Sequence, residues 1–234
     1  MIKHAFDIVV AAFGLLLCAP LFLLVAALIK LDSKGTVFFH QERVGKHFRP
    51  FHIYKFRSMV PDAPRQGALI SVAGDPRVTR IGRLLRKTKI DELPQLINIL
   101  KGEMSFVGPR PEVPKYVQLF RKDYEEILQV NPGITDLASL KYRDEAGVLG
   151  QSANPEQEYI ARVLPDKIQL AKEYLRRSSF FFDVTLILRT SFRLFSSLAA
   201  HWASLFADSI RLKIPQYLDE RPTMATPSTT FPRL

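Results

Sequence analysis

The sequence predicts an α+β fold, mainly helical with a short β-hairpin, joined to an N-terminal re-entrant membrane helix and to interfacial amphipathic helices. Three observations carry that prediction. Residues Ile8 to Ile29 run for 22 positions without a charge. Thr36 to Met59 holds two β-branched and aromatic runs about a Gly-Lys turn, the signature of a hairpin. Most of the remainder repeats apolar residues at helical spacing. A chain of 234 residues with 47% hydrophobic content supports one sizeable core and excludes wholesale disorder. With 33 Lys and Arg against 23 Asp and Glu, the net charge of +10 asks for a polyanionic partner: nucleic acid, anionic lipid or a phosphorylated substrate. The single cysteine, Cys18, excludes an internal disulfide, and no CxxC or HExxH suggests a zinc site.

The uncharged N-terminal run would form a helix about 33 Å long, enough for a hydrocarbon core of about 30 Å, so a straight span is one reading. Pro20 argues for another. An interior proline removes a helix hydrogen bond and clashes with the preceding turn, so a break or kink is expected near Ala19 and Pro20. Each half would then be roughly 15 to 18 Å long, too short to cross alone. Lys3 and His4 precede the run and Lys30 and Lys34 follow it, so charge does not assign its ends to opposite sides. A helix that enters the bilayer, bends at Pro20 and returns to the same face satisfies both points. Asp7, lying where a positive leader should meet its apolar core, argues against a cleaved signal peptide.

In the hairpin, Lys55 and Arg57 share one face of the second strand, opposite Tyr54 and Phe56. They are either solvated edge cations or ligands for phosphate. Val60 to Asp75 reads as loop. Between Asp75 and Asp91 lie Arg77, Arg80, Arg83, Arg86, Lys87 and Lys89 with no acid among them. On a helix Arg80, Arg83, Arg86 and Lys87 form one stripe and Ile81, Leu84 and Leu85 another, a basic amphipathic helix suited to a membrane surface or to phosphates. Leu93, Leu96, Ile97 and Leu100 then mark a helix ended by Gly102, with Pro94 tolerated in its first turn. "SFVGPRPE" reads as a tight loop presenting Arg110 between two prolines. Residues 113–130 read as one helix, "NPGIT" as a loop, and 153–179 as helical in two pieces. Phe180 to Phe195 is apolar but interrupted by Asp183, Arg189 and Arg193, which suits a core or interfacial helix better than a lipid span. Leu198, Trp202, Leu205, Phe206 and Ile210 recur at helical spacing, and the Pro, Ser and Thr-rich tail reads as disordered.

The candidate chemistry centres on the adjacent acids Asp91 and Glu92. Acids before an apolar run cap helices, and capping alone would explain them. Their surroundings favour more: a basic helix leads into the pair and a rigid Gly-Pro-Arg-Pro loop follows. A carboxylate can attack phosphorus to form an acyl phosphate while arginines hold the phosphate oxygens. Two adjacent acids also suit Mg²⁺, which takes one or two carboxylates together with substrate phosphates. With no GxxxxGK[ST] or GxGxxG present, phosphoryl transfer at a membrane surface is the expected reaction.

The apolar segment with its central proline, "KFRSM", "IDELPQL", "KGEMSFVGPRP", "PGIT" and "LPDK…EYLRRSSFFFDV" occur in an order that resembles the bacterial sugar transferases of the monotopic phosphoglycosyl transferase family over about residues 1–195. That resemblance implies transfer of a phosphosugar from a UDP-sugar to polyprenol phosphate, with release of UMP, at the start of surface glycan synthesis. It implies Asp91 as nucleophile on the β-phosphate, Glu92 as a ligand of Mg²⁺ or activator of the acceptor, and Arg86 and Arg110 as phosphate ligands, to which Lys55 and Arg57 are added. It also implies a re-entrant membrane helix broken at Pro20 and a cytoplasmic-face site at the bacterial inner membrane. Many relatives continue the "PGIT" loop as Gly-Trp-Ala-Gln, whereas here Asp136, Leu137 and Ser139 occupy that stretch.

The expected organisation is therefore a membrane segment over 1–34, a catalytic domain over 35–195, an amphipathic extension over 196–221 and a disordered tail over 222–234. The expected partners are a UDP-sugar, polyprenol phosphate and the lipid bilayer, with a homo-oligomer left open. A membrane-tethered nucleic-acid binder is the main rival, and it is set aside because it leaves Asp91 and Glu92 without a role. An inactive membrane scaffold would leave the Arg110 loop unexplained.

Overall fold

The structure is a computed structural model that describes residues 2–193 apart from 64, 65, 68 and 69. The expected amphipathic extension over 196–221 and tail over 222–234 lie outside the described residues. Residues 1–192 form one compact unit, which contains both the apolar N-terminal helix and the region expected to be catalytic.

The described residues are mainly helical, with two small sheets. Helix α1 spans Ile2–Asp32, and the hairpin follows as β1 Phe38–Val44 and β2 Pro50–Phe56. The pair is antiparallel, in register from Phe38 opposite Phe56 to Val44 opposite Pro50. The connection turns tightly because His47 and Phe48 both take left-handed φ, 54° and 60°. Phe51 and Ile53 face inward and pack with Leu96, Ile99, Met104 and Ala11 of α1. Phe56 is buried farther along the strand among Val25, Ile29 and Leu85. The hairpin is thus a platform between α1 on one side and the acidic segment on the other.

Helix α2, Arg80–Thr88, starts at Thr79, whose hydroxyl accepts from the amide of Gly82, and ends at Lys89 with φ of 60°. Its basic stripe is divided. Arg80, Arg83 and Lys87 are exposed, Leu85 is buried, Leu84 is open, and Arg86 turns inward. A 3-10 turn over Ile90–Gln95 and the short helix α3, Leu96–Leu100, follow, and Gly102 closes the segment with φ of 74°.

Strand β3, Ser105–Val107, pairs in parallel with β4, Gly133–Thr135. Neither strand was expected, since "NPGIT" reads as loop; the pairing joins segments far apart in sequence, so no local pattern announces it. The two backbones meet so closely that a Cβ on Gly133 would lie 2.1 Å from the amide nitrogen of Gly108. Between the strands run α4, Pro114–Leu119, and α5, Arg121–Ile127. One helix was expected there; it divides at Phe120, whose φ of −123° is not helical. Short helices α6, Leu137–Lys141, α7, Glu145–Gly150, and α8, Pro155–Glu158, lead through a π-helical turn at Tyr159–Val163 into α9, Leu164–Arg177. The expected two pieces are one run from Pro155 to Arg177: the widened turn ends where Pro165, lacking an amide hydrogen, enters the first turn of α9. Tyr116, Val117, Tyr124, Ile127, Leu149, Val163, Leu164 and Ile168 form the core of this half. A further helix, α10, begins at 180 and runs to the end of the described residues at 193.

The chain does not leave the helical state at Pro20: α1 is assigned without interruption from Ile2 to Asp32. The expected break is therefore absent from the hydrogen-bonding pattern. One face of α1 packs on the unit through Ala11, Val25 and Ile29, while Val9, Phe13, Leu16, Leu17, Leu23, Leu24 and Leu31 stay open on the other. Phe181, Leu188 and Phe192 of α10 are likewise exposed. Open apolar surface of this extent suits a bilayer rather than water. Residues Lys3–Asp32 are long and apolar enough to cross a membrane.

Candidate active site

The site is built where the 3-10 turn over Ile90–Gln95 meets the end of β2 and the loop after β3. The left-handed Lys89 turns the chain sharply out of α2, so that Asp91 points inward. Capping does not explain it. The residue flanking the turn is Lys89, no side chain caps it, and Oδ1 of Asp91 is buried without a hydrogen-bond partner. A buried, unpartnered carboxylate oxygen is costly unless the site has a use for it.

Glu92 is satisfied instead. Its Oε1 accepts from Lys55 Nζ at 2.8 Å and from Arg110 Nη2 at 2.5 Å. The two cations come from different directions, Lys55 from the end of β2 and Arg110 from the loop between Pro109 and Pro111. The backbone amide of Arg110 donates to Asp136 Oδ2 at 3.2 Å, just beyond β4, so the parallel strand pair holds that loop from both sides. Asp136 also caps α6 with Ser139 in a reciprocal box.

The electrostatics separate the two acids. Burial pushes the Asp91 carboxyl up to about 6, aided by the charge of Glu92 and opposed by Lys55, Lys89 and Arg86. Burial would raise Glu92 too, but Arg110 and Lys55 outweigh it and hold that carboxyl well below the usual range. Glu92 in turn raises the Arg110 guanidinium, while desolvation lowers Lys55 against the pull of Glu92. At neutral pH the result is an ionised Asp91 whose Oδ1 has no hydrogen-bond partner, flanked by cations and beside an acid already neutralised.

Arg86 reaches the same region. Its Nε donates to Ser58 Oγ at 2.8 Å and its Nη1 to Ser71 Oγ at 2.6 Å, and it feels the charges of Asp91 and Glu92. Arg57 does not join them. It turns to the C-terminal end of α1, where Nη2 donates to the carbonyl and hydroxyl of Ser33 at 2.8 and 2.9 Å. The expected alternation of β2 placed Lys55 and Arg57 on one face, but the strand ends at Phe56, and past it the chain carries Arg57 toward α1. Asp91, Glu92, Lys55, Arg86 and Arg110 are thus brought together and Arg57 is not.

Sequence reasoning gave no role to Arg43, Glu112 or Tyr159, which stand directly behind the Arg110 loop. Arg43 Nη1 donates to the carbonyl of Pro111 at 3.0 Å and lies 3.6 Å from Glu112 Oε2, while the Tyr159 hydroxyl donates to Glu112 Oε1. Only the proximity of Glu112 to "PRP" could have signalled this. A cleft lined by Pro109, Arg110, Asp136, Ala138, Lys167 and Ile168 opens beside the loop.

Among the described residues no group of three or more His, Cys, Asp or Glu converges as a ready-made metal cage. The donor set still fits Mg²⁺ of the kind completed by a substrate's phosphates, because Asp91 offers a free buried anionic oxygen. Glu92 is a weaker candidate for that role, its Oε1 being already shared by two cations.

Residues 1–197 match the family described as "Bacterial sugar transferase". A UDP-N-acetylgalactosamine-undecaprenyl-phosphate N-acetylgalactosaminephosphotransferase of Aeromonas hydrophila is 41% identical over 194 residues, 81% of this chain and 42% of that protein. An undecaprenyl-phosphate glucose phosphotransferase of Komagataeibacter xylinus is 42% identical over 195 residues, 80% of this chain and 35% of that protein. The exopolysaccharide production protein PSS of Rhizobium leguminosarum bv. phaseoli is 39% identical over 198 residues, 81% of this chain and 93% of that protein. The chain spans less than half the length of the first two relatives and nearly all of the third. On the extent of these matches, the chain belongs to the bacterial sugar transferase family.

Proposed function

We propose that the chain transfers a phosphosugar from a UDP-sugar to polyprenol phosphate, giving polyprenyl diphosphate sugar and UMP through a covalent aspartyl-phosphosugar at Asp91. The observation that carries this reading is the buried, unpartnered Oδ1 of Asp91, which feels the charges of Lys55, Lys89 and Arg86. Relatives named for undecaprenyl-phosphate sugar transfer support the substrate class. The two are named for different sugars at similar identity.

In the first step an Asp91 oxygen bonds to the β-phosphorus of the donor. The bond from that phosphorus to the bridging oxygen breaks, and UMP leaves with the electron pair. Arg110 and Arg86 offer N–H groups to the phosphate oxygens as negative charge shifts toward the leaving group. Glu92 holds Arg110 in place, and Lys55, bonded to the same Glu92 oxygen, keeps the site near electrical balance. In the second step an oxygen of polyprenol phosphate bonds to the same phosphorus, the acyl phosphate bond breaks, and Asp91 is restored as a carboxylate. Mg²⁺, held by Asp91 and the donor's phosphate oxygens with Glu92 nearby, would supply charge neutralisation at the diphosphate.

Helix α1 is read as re-entrant, entering the inner membrane from the cytoplasmic face and returning to it. Its first turns hold β3 through Lys3 and Asp7, and its last turn holds α2 through Asp32, which accepts from the amide of Ile81 at 3.0 Å. What supports this reading is that both ends of α1 bond to residues of the same compact unit.

The test is incubation with UDP-sugar labelled in the sugar and no acceptor. Label should remain on the protein and map to Asp91. A protein that releases UMP without retaining label, or an Asp91→Asn variant that retains it, would sink the covalent route. For topology, cysteines placed at residues 2 and 34 in a Cys18→Ser background should react with an impermeant reagent from the same side; reaction from opposite sides would overturn the re-entrant reading.

A further inference from the structure

We propose that Lys3 and Asp7 of α1 are positioning residues for Arg110, so that catalytic competence depends on the seating of the apolar helix. The proposal rests on the reading of Arg110 as a phosphate ligand given above.

Lys3 and Asp7 are four residues apart and therefore share one face of α1. Together they hold β3 along its length. The hydroxyl of Ser105 donates to Asp7 Oδ2 at 2.7 Å, and Lys3 Nζ donates to the carbonyl of Val107 at 2.8 Å. Asp7 is buried, an unusual location for a lone acid in the first turns of an apolar helix. Lys3 is fixed by further contacts: it donates to Tyr174 at 3.1 Å and pairs with Asp183 of α10, to which Tyr174 also donates at 2.9 Å. Thr190, farther along α10, shares a hydrogen bond of 2.6 Å with Thr135 at the end of β4.

The two helices with open apolar faces thus grip both strands of the parallel pair. Three residues beyond Val107 stands Arg110, and one residue beyond Thr135 stands Asp136, the acceptor for the Arg110 amide. Gly108 leaves no slack between them, since its backbone already touches Gly133. A shift of α1 or α10 therefore moves the loop that aims Arg110 at Glu92, and displacements of about an ångström at a catalytic group cost as much as a hundredfold in rate.

The experiment compares wild type, Lys3→Met, Lys3→Arg and Ser105→Ala in native-like lipid. Three properties are read: UMP release from a UDP-sugar, retention in the membrane fraction, and hydrogen exchange of peptides covering 104–112 against 121–127. Lys3→Met and Ser105→Ala should lose about tenfold or more in kcat, with KM for the donor changing less. Exchange over 104–112 should quicken while 121–127 stays unchanged, and Lys3→Arg should recover most of the rate. Unchanged exchange in both variants, or quickened exchange with kcat within twofold of wild type, overturns the coupling. If Lys3→Met is lost from the membrane, Ser105→Ala, which leaves α1 untouched, decides. If wild type releases no UMP from any donor, the functional reading fails by itself and exchange alone decides the coupling.

Discussion

Asp91 and Glu92 are neighbours in sequence, yet their carboxyl groups are driven in opposite directions, Asp91 up to about 6 and Glu92 well below its usual range. The cause is the allocation of cations. Lys55 and Arg110 both bond to Glu92, and neither bonds to Asp91. One acid is spent on two cations and the other keeps a buried oxygen unpaired, a division of the kind that lets paired carboxylates take different roles.

A carboxyl lifted to about 6 must lose its proton before it can attack phosphorus. The rate of UMP release should therefore fall below about pH 6, with one proton involved, and level off above it. A profile flat down to pH 4.5 would contradict Asp91 as the ionising nucleophile.

The same shift predicts a gain in stability for Asp91→Asn. A carboxyl whose folded value is raised from 3.8 to about 6 binds its proton more tightly in the folded state. The stability this confers is complete below the unfolded value and is lost as pH rises through the folded one. Above about pH 6 the ionised group is a burden, and removing it should stabilise by up to about 3 kcal/mol. Denaturation at pH 8 should show the gain, and at pH 4 it should be much smaller.

Glu92→Gln should behave oppositely. It leaves Lys55 and Arg110 facing each other in a buried site without their shared counter-charge. A loss of about 3 kcal/mol or more in unfolding free energy is expected, with at least a hundredfold drop in kcat/KM. Chemical denaturation in lipid or detergent, alongside UMP release, checks both.

Arg57→Met and Arg110→Met separate anchoring from substrate binding. Arg57 bonds to Ser33 at the end of α1, so its loss should lower Tm while leaving KM for the donor within about twofold. Arg110→Met should lower kcat/KM by about a hundredfold. A large rise in donor KM for Arg57→Met would restore that residue to the phosphate site.

Without a three-ligand cage among the described residues, Mg²⁺ should bind the free protein only weakly and tightly only with a donor diphosphate present. Calorimetric titration of Mg²⁺ with and without a non-hydrolysable donor analogue measures this; equal affinity in the two cases would contradict a metal held partly by substrate.

Much of this protein is legible along the chain. The uncharged run before Lys30, the alternation about Gly45 and Lys46, the density of arginines before Asp91 and the rigid Pro-Arg-Pro turn are local patterns, and local patterns determine helix, hairpin and loop. They also raise the expectation of a carboxylate working on phosphate. What they could not decide was allocation. Whether Lys55 serves Asp91 or Glu92, whether Arg57 meets substrate or Ser33, and whether "SFV" and "GIT" remain loops or pair as strands all depend on groups distant in sequence arriving at one place. Pro20 illustrates the limit from the other side: it predicts a break, but packing of Ala11, Val25 and Ile29 against the unit holds α1 helical on both sides of it. Residue type determines what a side chain can do, and only the tertiary structure decides which partner it does it with, because the energy of a buried charge is set by its neighbours in space.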